Sequence, residues 1–196
     1  MEEFYSLQGE GYHTGEAAYF IRMGGCDVGC YFCDSKAAWD ASLQNPTPIA
    51  TLVAHAQAVP SHTVILTGGE PMMYDLTHLC TALKEAGCFT YLETSGSHPL
   101  SGTWDWICLS PKKDTPVYDV FYQQAGELKM IVCTADDFGR AEAEAARVKA
   151  VNEGCRLFLQ AEWSQRKTLT PLIVDYILQH PQWRISQQTH KYIDIR

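Results

Sequence analysis

The chain has 196 residues, 46% of them hydrophobic and 19% charged, with a formal net charge of −8. That is ample for one domain with a packed core, and too apolar for a disordered chain. The acidic balance, with adjacent basic residues only at Lys112-Lys113 and Arg166-Lys167, excludes a broad phosphate-binding face and so nucleic acid as a partner. No apolar run reaches the roughly 18 residues of a membrane span, so no membrane association is expected. The opening Met1-Glu2-Glu3 lacks the basic and apolar parts of an export signal. A single cytoplasmic domain over residues 1–196 is the expectation.

In chain order, Ala18 to Met23 predicts a strand and Ile49 to Val59 a helix. Thr63-Val64-Ile65-Leu66-Thr67 reads as a short buried strand ending in Gly68-Gly69. Leu76, Leu79, Cys80 and Leu83 share one helix face, and Gly87 is a plausible stop. Strands follow at Cys88 to Glu93, Trp106 to Leu109 and Glu127 to Val132. Asp136 or Asp137 caps a helix through Ala141 to Val151. Arg156 to Gln160 is a strand. Thr170-Pro171 opens a helix to about Gln179, with proline in the first turn, and Trp183 to Gln187 is a closing strand. The alternation predicts an α/β fold with a mostly parallel sheet covered by helices. Ligands of such folds bind at the C-terminal ends of the strands.

Of the eight cysteines, Cys80, Cys88, Cys108, Cys133 and Cys155 stand alone in apolar surroundings and read as small buried hydrophobes. Cys26, Cys30 and Cys33 instead form a C-x3-C-x2-C cluster beside Gly24, Gly25 and Gly29, directly after a predicted strand. Structural zinc takes four protein ligands, and a fully protein-ligated [4Fe–4S] cluster takes four thiolates. Three thiolates leave one iron open, able to bind the amino and carboxylate groups of S-adenosylmethionine (SAM). A Cys3His zinc site, with His13 or another histidine as fourth ligand, is the competing reading. Thr67-Gly68-Gly69-Glu70-Pro71, Glu93-Thr94-Ser95-Gly96 and Ser110-Pro111-Lys112 also end predicted strands and place polar groups on the same rim. Lys129 lies inside an apolar strand and faces either solvent or the site.

The cysteine spacing, with Phe32 just before the last cysteine, resembles the radical SAM superfamily, as does Gly68-Gly69-Glu70-Pro71. Further motifs resemble one family within it, the 7-carboxy-7-deazaguanine synthases. They are Leu7-Gln8-Gly9-Glu10-Gly11, a strand carrying Arg22, Cys33-Asp34-Ser35, Thr67 to Pro71, Glu93 to Gly96, Ser110-Pro111-Lys112 and Gln188-Thr189-His190-Lys191-Tyr192, spread over residues 4–192. The resemblance implies an incomplete TIM-like βα barrel. It implies a [4Fe–4S] cluster on Cys26, Cys30 and Cys33, and SAM held by Gly69, Glu70, Thr94, Ser110, Pro111, Lys112 and Gln160. Leu7, Gln8, Gly9, Arg22 and Thr67 would hold a pterin, with Arg22 pairing its carboxylate. Mg²⁺ would sit at Ser35, where the family usually has threonine. After Gln160 the chain has Ala161 in place of the family's usual proline, and the role of the terminal Arg196 stays open. The implied reaction turns 6-carboxy-5,6,7,8-tetrahydropterin into 7-carboxy-7-deazaguanine with loss of ammonia, SAM being regenerated and no side chain acting as a nucleophile. An electron donor such as flavodoxin or ferredoxin and a homodimer are implied as partners. Activating enzymes of glycyl-radical proteins are the nearest rival inside the superfamily.

Overall fold

A computed structural model describes residues 2–43 and 45–195, so Arg196 lies outside the described residues. Eight strands form one sheet in sequence order: β1 (Glu2–Leu7), β2 (Ala17–Met23), β3 (Thr63–Gly68), β4 (Phe89–Thr94), β5 (Trp106–Leu109), β6 (Glu127–Val132), β7 (Arg156–Ala161) and β8 (Trp183–Ser186). β1 runs antiparallel to β2, and every later pairing is parallel. Among the described residues β1 and β8 share no ladder, so the barrel is open.

Helices fill the crossovers: α1 (Ile49–Gln57), α2 (Thr77–Glu85), α3 (Asp119–Gln124), α4 (Asp137–Val151), α5 (Arg166–Gln179) and the short α6 (Thr189–Tyr192). In α2, Leu79, Cys80 and Leu83 are buried on one face, and the Asp75 carboxylate accepts the Thr77 N–H at the helix start. Side chains alternate across each strand, which divides the sheet into two faces. Ile21, Leu66, Leu92, Leu128 and Leu159 point to the helices and join Leu52, Leu83, Phe121, Val148 and Ile173 in the main core. Each such leucine contributes about 1.5–3 kcal/mol by leaving water. On the concave face a smaller cluster joins Ala18, Phe20 and Ile65 to Phe4 and Tyr91. The five isolated cysteines are buried and free, as expected.

Two expectations change. The helix predicted from Thr170 begins at Arg166 and carries Pro171 inside it. Its start is set by Glu162, whose carboxylate accepts the Ser164 and Gln165 N–H groups and turns the chain directly off β7. β1, α3 and α6 add to the predicted elements. β1 opens on two glutamates and is held through β2: Phe4 stacks on Phe20 at 5.0 Å, and Glu2 pairs with Arg22 at 2.7 Å.

Candidate active site

The cysteine loop leaves the C-terminal end of β2 and folds back through a turn at Lys36–Ala38. Gly25 N–H donates to the Ala38 carbonyl at 2.6 Å, and Cys26 N–H to the Trp39 carbonyl at 3.2 Å. The end of β3 locks against it, since Glu70 N–H donates to the Gly25 carbonyl at 2.9 Å. That approach requires glycine at position 69, where a Cβ would lie 1.9 Å from the Gly25 oxygen. The loop thus presents Cys26, Cys30 and Cys33, all half-buried, to one cavity of about 450 Å³ at the C-terminal rim of the sheet.

Three soft thiols at an open cavity suit an iron–sulfur cluster with one iron left free. Zinc in a tetrahedron of about 2.3 Å bonds would draw its sulfurs to about 3.8 Å apart. Among the described residues the three sulfurs do not gather within 4.8 Å of one another. Of the candidate fourth ligands, His13 lies elsewhere. Its ring packs at 4.7 Å on Trp106, which opens β5, at the opposite end of the strands from the cysteines. Burial raises the Cys26 and Cys30 thiols, so a metal centre displaces protons as it binds.

Every residue predicted for the site lines this cavity except Pro111, whose carbonyl instead accepts from Arg140 at 3.2 Å. Glu70 touches the cavity, but its carboxylate is committed to the protein. It accepts Thr94 Oγ1 at 2.5 Å, Ser95 N–H at 2.8 Å, Ser95 Oγ at 2.5 Å and Met72 N–H at 3.1 Å. It therefore ties the end of β3 to the end of β4. Lys112 Nζ donates to the Ser110 carbonyl and Oγ, and burial pulls its value down despite the nearby Cys30. Gln160 accepts from Ser186 Oγ at 2.6 Å. Ser35 Oγ donates to Asp34 at 3.3 Å, beside Cys33.

The opposite wall is charged. Lys129 faces inward, only 4% exposed, and its ammonium reaches Glu10 at 2.7 Å and Glu93 at 2.9 Å. Gln8 Nε2 donates to the other oxygen of Glu93 at 3.0 Å. Burial would raise Glu10, but the Lys129 charge and hydrogen bonds from Lys129, Gln188 and Gln160 outweigh it and hold the carboxyl at about 2. Behind them Glu93, Cys108 and Glu127 crowd within 4.8 Å, and Lys129 supplies the cation there. Burial raises Glu127 against the pull of Lys129. Arg22 already pairs with Glu2 and stands over Phe4 at 5.1 Å.

α6 covers the cavity. Thr189 N–H donates to the Gly9 carbonyl at 2.9 Å, and His190 occupies the space a Cβ on Gly9 would need. Gln188 bridges Glu10 and Asp34 at 2.9 and 3.0 Å, and Lys191 reaches Asp34 at 2.6 Å. Glu10, Asp34, Glu93, Gln188 and His190 are thus cavity residues that sequence reasoning did not single out, whereas Lys129, left open between solvent and the site, turns to the site. All five stand inside motifs already noticed, so position in a motif was the available signal.

Residues 20–109 match the model of the Radical SAM superfamily. The chain is 51% identical over 195 residues to the 7-carboxy-7-deazaguanine synthase of Flavobacterium psychrophilum, covering 100% of this chain and 91% of that one. It is 46% identical to the enzyme of that name from Synechocystis sp., covering 100% and 92%. The crystal structure of QueE from Escherichia coli superposes with a TM-score of 0.82 at 31% identity, covering 96% of this chain and 92% of that chain.

Proposed function

The chain belongs to the 7-carboxy-7-deazaguanine synthase family of radical SAM enzymes, and we propose that its cavity binds 6-carboxy-5,6,7,8-tetrahydropterin and contracts the ring to 7-carboxy-7-deazaguanine with release of ammonia. The observation that carries this reading is a single cavity lined both by an open three-thiol site and by a paired charge cluster around the buried Lys129. When bound, the cluster and SAM supply reductive cleavage to a 5′-deoxyadenosyl radical. The chain's residues bind, orient and exclude water. The backbone at Gly69 and the Ser110–Lys112 turn face SAM, with Thr94 and Gln160 beside them, while Glu70 keeps that rim rigid. Pro111 acts only by shaping the turn.

The Arg22 guanidinium is placed for the substrate carboxylate. The carboxylates of Glu10, held ionised by Lys129, and of Glu93, paired with the same ammonium, can accept N–H groups of the pterin edge, and Gln8 orients Glu93. Leu7, Gly9 and Thr67 complete the wall, and α6 closes it from solvent. A covered cavity of about 450 Å³ suits a small ligand better than the protein loop that an activating enzyme of glycyl-radical proteins must admit. Asp34 and Ser35 are adjacent oxygen donors beside Cys33 and suit Mg²⁺, a hard cation. A flavodoxin- or ferredoxin-like donor, a homodimer and a single cytoplasmic domain complete the reading. Among the described residues no helix is long and apolar enough to cross a membrane.

The test is an anaerobic reaction of reconstituted protein with SAM, reductant, Mg²⁺ and the carboxytetrahydropterin, read by mass spectrometry. The deazaguanine carboxylate is the expected product; 5′-deoxyadenosine without it would overturn the substrate assignment. In Ser35→Ala, product formation should fall at least tenfold with iron content unchanged. Unaltered turnover that still required Mg²⁺ would remove Ser35 as its ligand.

A further inference from the structure

Trp39 Nε1 donates to Cys33 Sγ at 3.3 Å. The same residue's carbonyl accepts the Cys26 N–H at 3.2 Å. One residue therefore holds the first cysteine through its backbone and the last through its side chain. The ring is half-buried on the cavity wall, with the Lys36 ammonium 5.8 Å over its face. The sulfurs differ in what they receive: Cys26 is approached by the backbone N–H groups of Val28 and Gly29, whereas Cys33 takes the indole donor.

We propose that Trp39 is a positioning residue for the metal centre: its indole N–H, donated to the Cys33 sulfur, raises the reduction potential of the bound cluster. The inference rests on the reading that Cys26, Cys30 and Cys33 hold a [4Fe–4S] cluster, and is independent of the pterin. The physical reason is electrostatic. Reduction adds one electron, whose charge spreads onto the cluster and cysteine sulfurs. An N–H dipole aimed at one of those sulfurs stabilises the reduced form more than the oxidised one. An indole is suited to the task because it is a donor only, cannot titrate and cannot compete as a ligand. Its position six residues beyond Cys33 is fixed by the Lys36–Ala38 turn and by the two backbone bonds to Gly25 and Cys26. The consequence is a cluster that a moderate-potential donor protein can load more readily.

Trp39→Phe keeps the ring and the carbonyl bond to Cys26 and removes only the N–H. In the reconstituted protein, iron and sulfide content should match the parent. An anaerobic redox titration followed by electron paramagnetic resonance should show a more negative midpoint. At the parent's midpoint the reduced-to-oxidised ratio should fall several-fold, a tenfold fall corresponding to about 59 mV for one electron. Equal midpoints at equal iron content would overturn the proposal. A second measurement does not depend on the variant folding. Parent protein grown with indole-¹⁵N tryptophan should show a ¹⁵N coupling to the reduced cluster in electron–nuclear double resonance, retained in Trp163→Phe, which alters the cavity wall's other indole. A cluster-loaded parent without that coupling would equally overturn it. Either failure would leave the ring-contraction reading untouched, because product formation by the parent is measured separately.

Discussion

The two faces of the sheet are built from alternating residues of the same strands, yet they do opposite work. Ile21, Leu66, Leu92, Leu128 and Leu159 face the helices and are fully buried. Arg22, Thr67, Glu93, Lys129 and Gln160, on the same strands, face the cavity. The convex face gains free energy from area removed from water. The concave face holds charge away from water, which costs energy unless every charge is paired. Stability and chemistry are thus separated by one residue of register, and mutations on the two faces should fail in different ways.

The largest separation is expected from Cys33→Ser. It should abolish SAM cleavage, measured as 5′-deoxyadenosine, while the thermal midpoint of the apoprotein stays within a few degrees of the parent. A collapse of the fold would show that the loop is structural.

Lys129→Met should come next, because it removes a cation and leaves Glu10 and Glu93 behind. Breaking a buried pair this way costs about 3–5 kcal/mol, read by chemical denaturation at pH 7. The pH dependence carries the sign. Glu10 is lowered in the folded state to about 2. Its stabilisation is therefore present above its unfolded value of about 4.5 and lost as pH falls from there toward 2. The gap between parent and Lys129→Met should narrow over that window, as a protonated Glu10 ceases to need the ammonium. A constant gap would show that Lys129 acts by packing alone.

Leu128→Ala, one residue away on the other face, should cost about 2–5 kcal/mol with no such narrowing. Turnover per folded molecule should hold near the parent's.

The smallest effect on stability belongs to Lys191→Ala. Its pair with Asp34 is partly exposed, and such pairs contribute about 0–1 kcal/mol. KM for the pterin should nevertheless rise, because α6 loses its tie to the cysteine loop. An unchanged KM would show that Gln188 and the Gly9–Thr189 bond hold the cover alone.

The parts legible in the sequence share one property: their meaning is local. Three cysteines within eight residues limit what they can bind by count, and Gly68-Gly69 at a strand end announces close approach. Hydrophobic runs located seven of the eight strands, and alternation with helices indicated the parallel order. Short-range spacing is enough for such features, because the chain itself supplies the geometry.

Tertiary structure decided the rest, for physical reasons visible at particular residues. Lys129 sits in a strand buried on both faces, where apolar neighbours erase the alternation that would reveal its direction; its partners Glu10 and Glu93, 119 and 36 residues away, show that it points inward. Glu70 belongs to a recognisable motif, but which groups satisfy its carboxylate depended on how β4 lies beside β3. Trp39 belongs to no motif read from the sequence; only the closed loop sets its indole on Cys33. β1 and α6 have little propensity of their own and exist because β2 and Gly9 receive them. The sequence alone determined the cysteine cluster, the mostly parallel α/β class and the family, since those depend on neighbours in the chain. Which charges meet in the cavity, and which cover it, was settled by contacts between residues far apart in sequence, whose pairing no local pattern encodes.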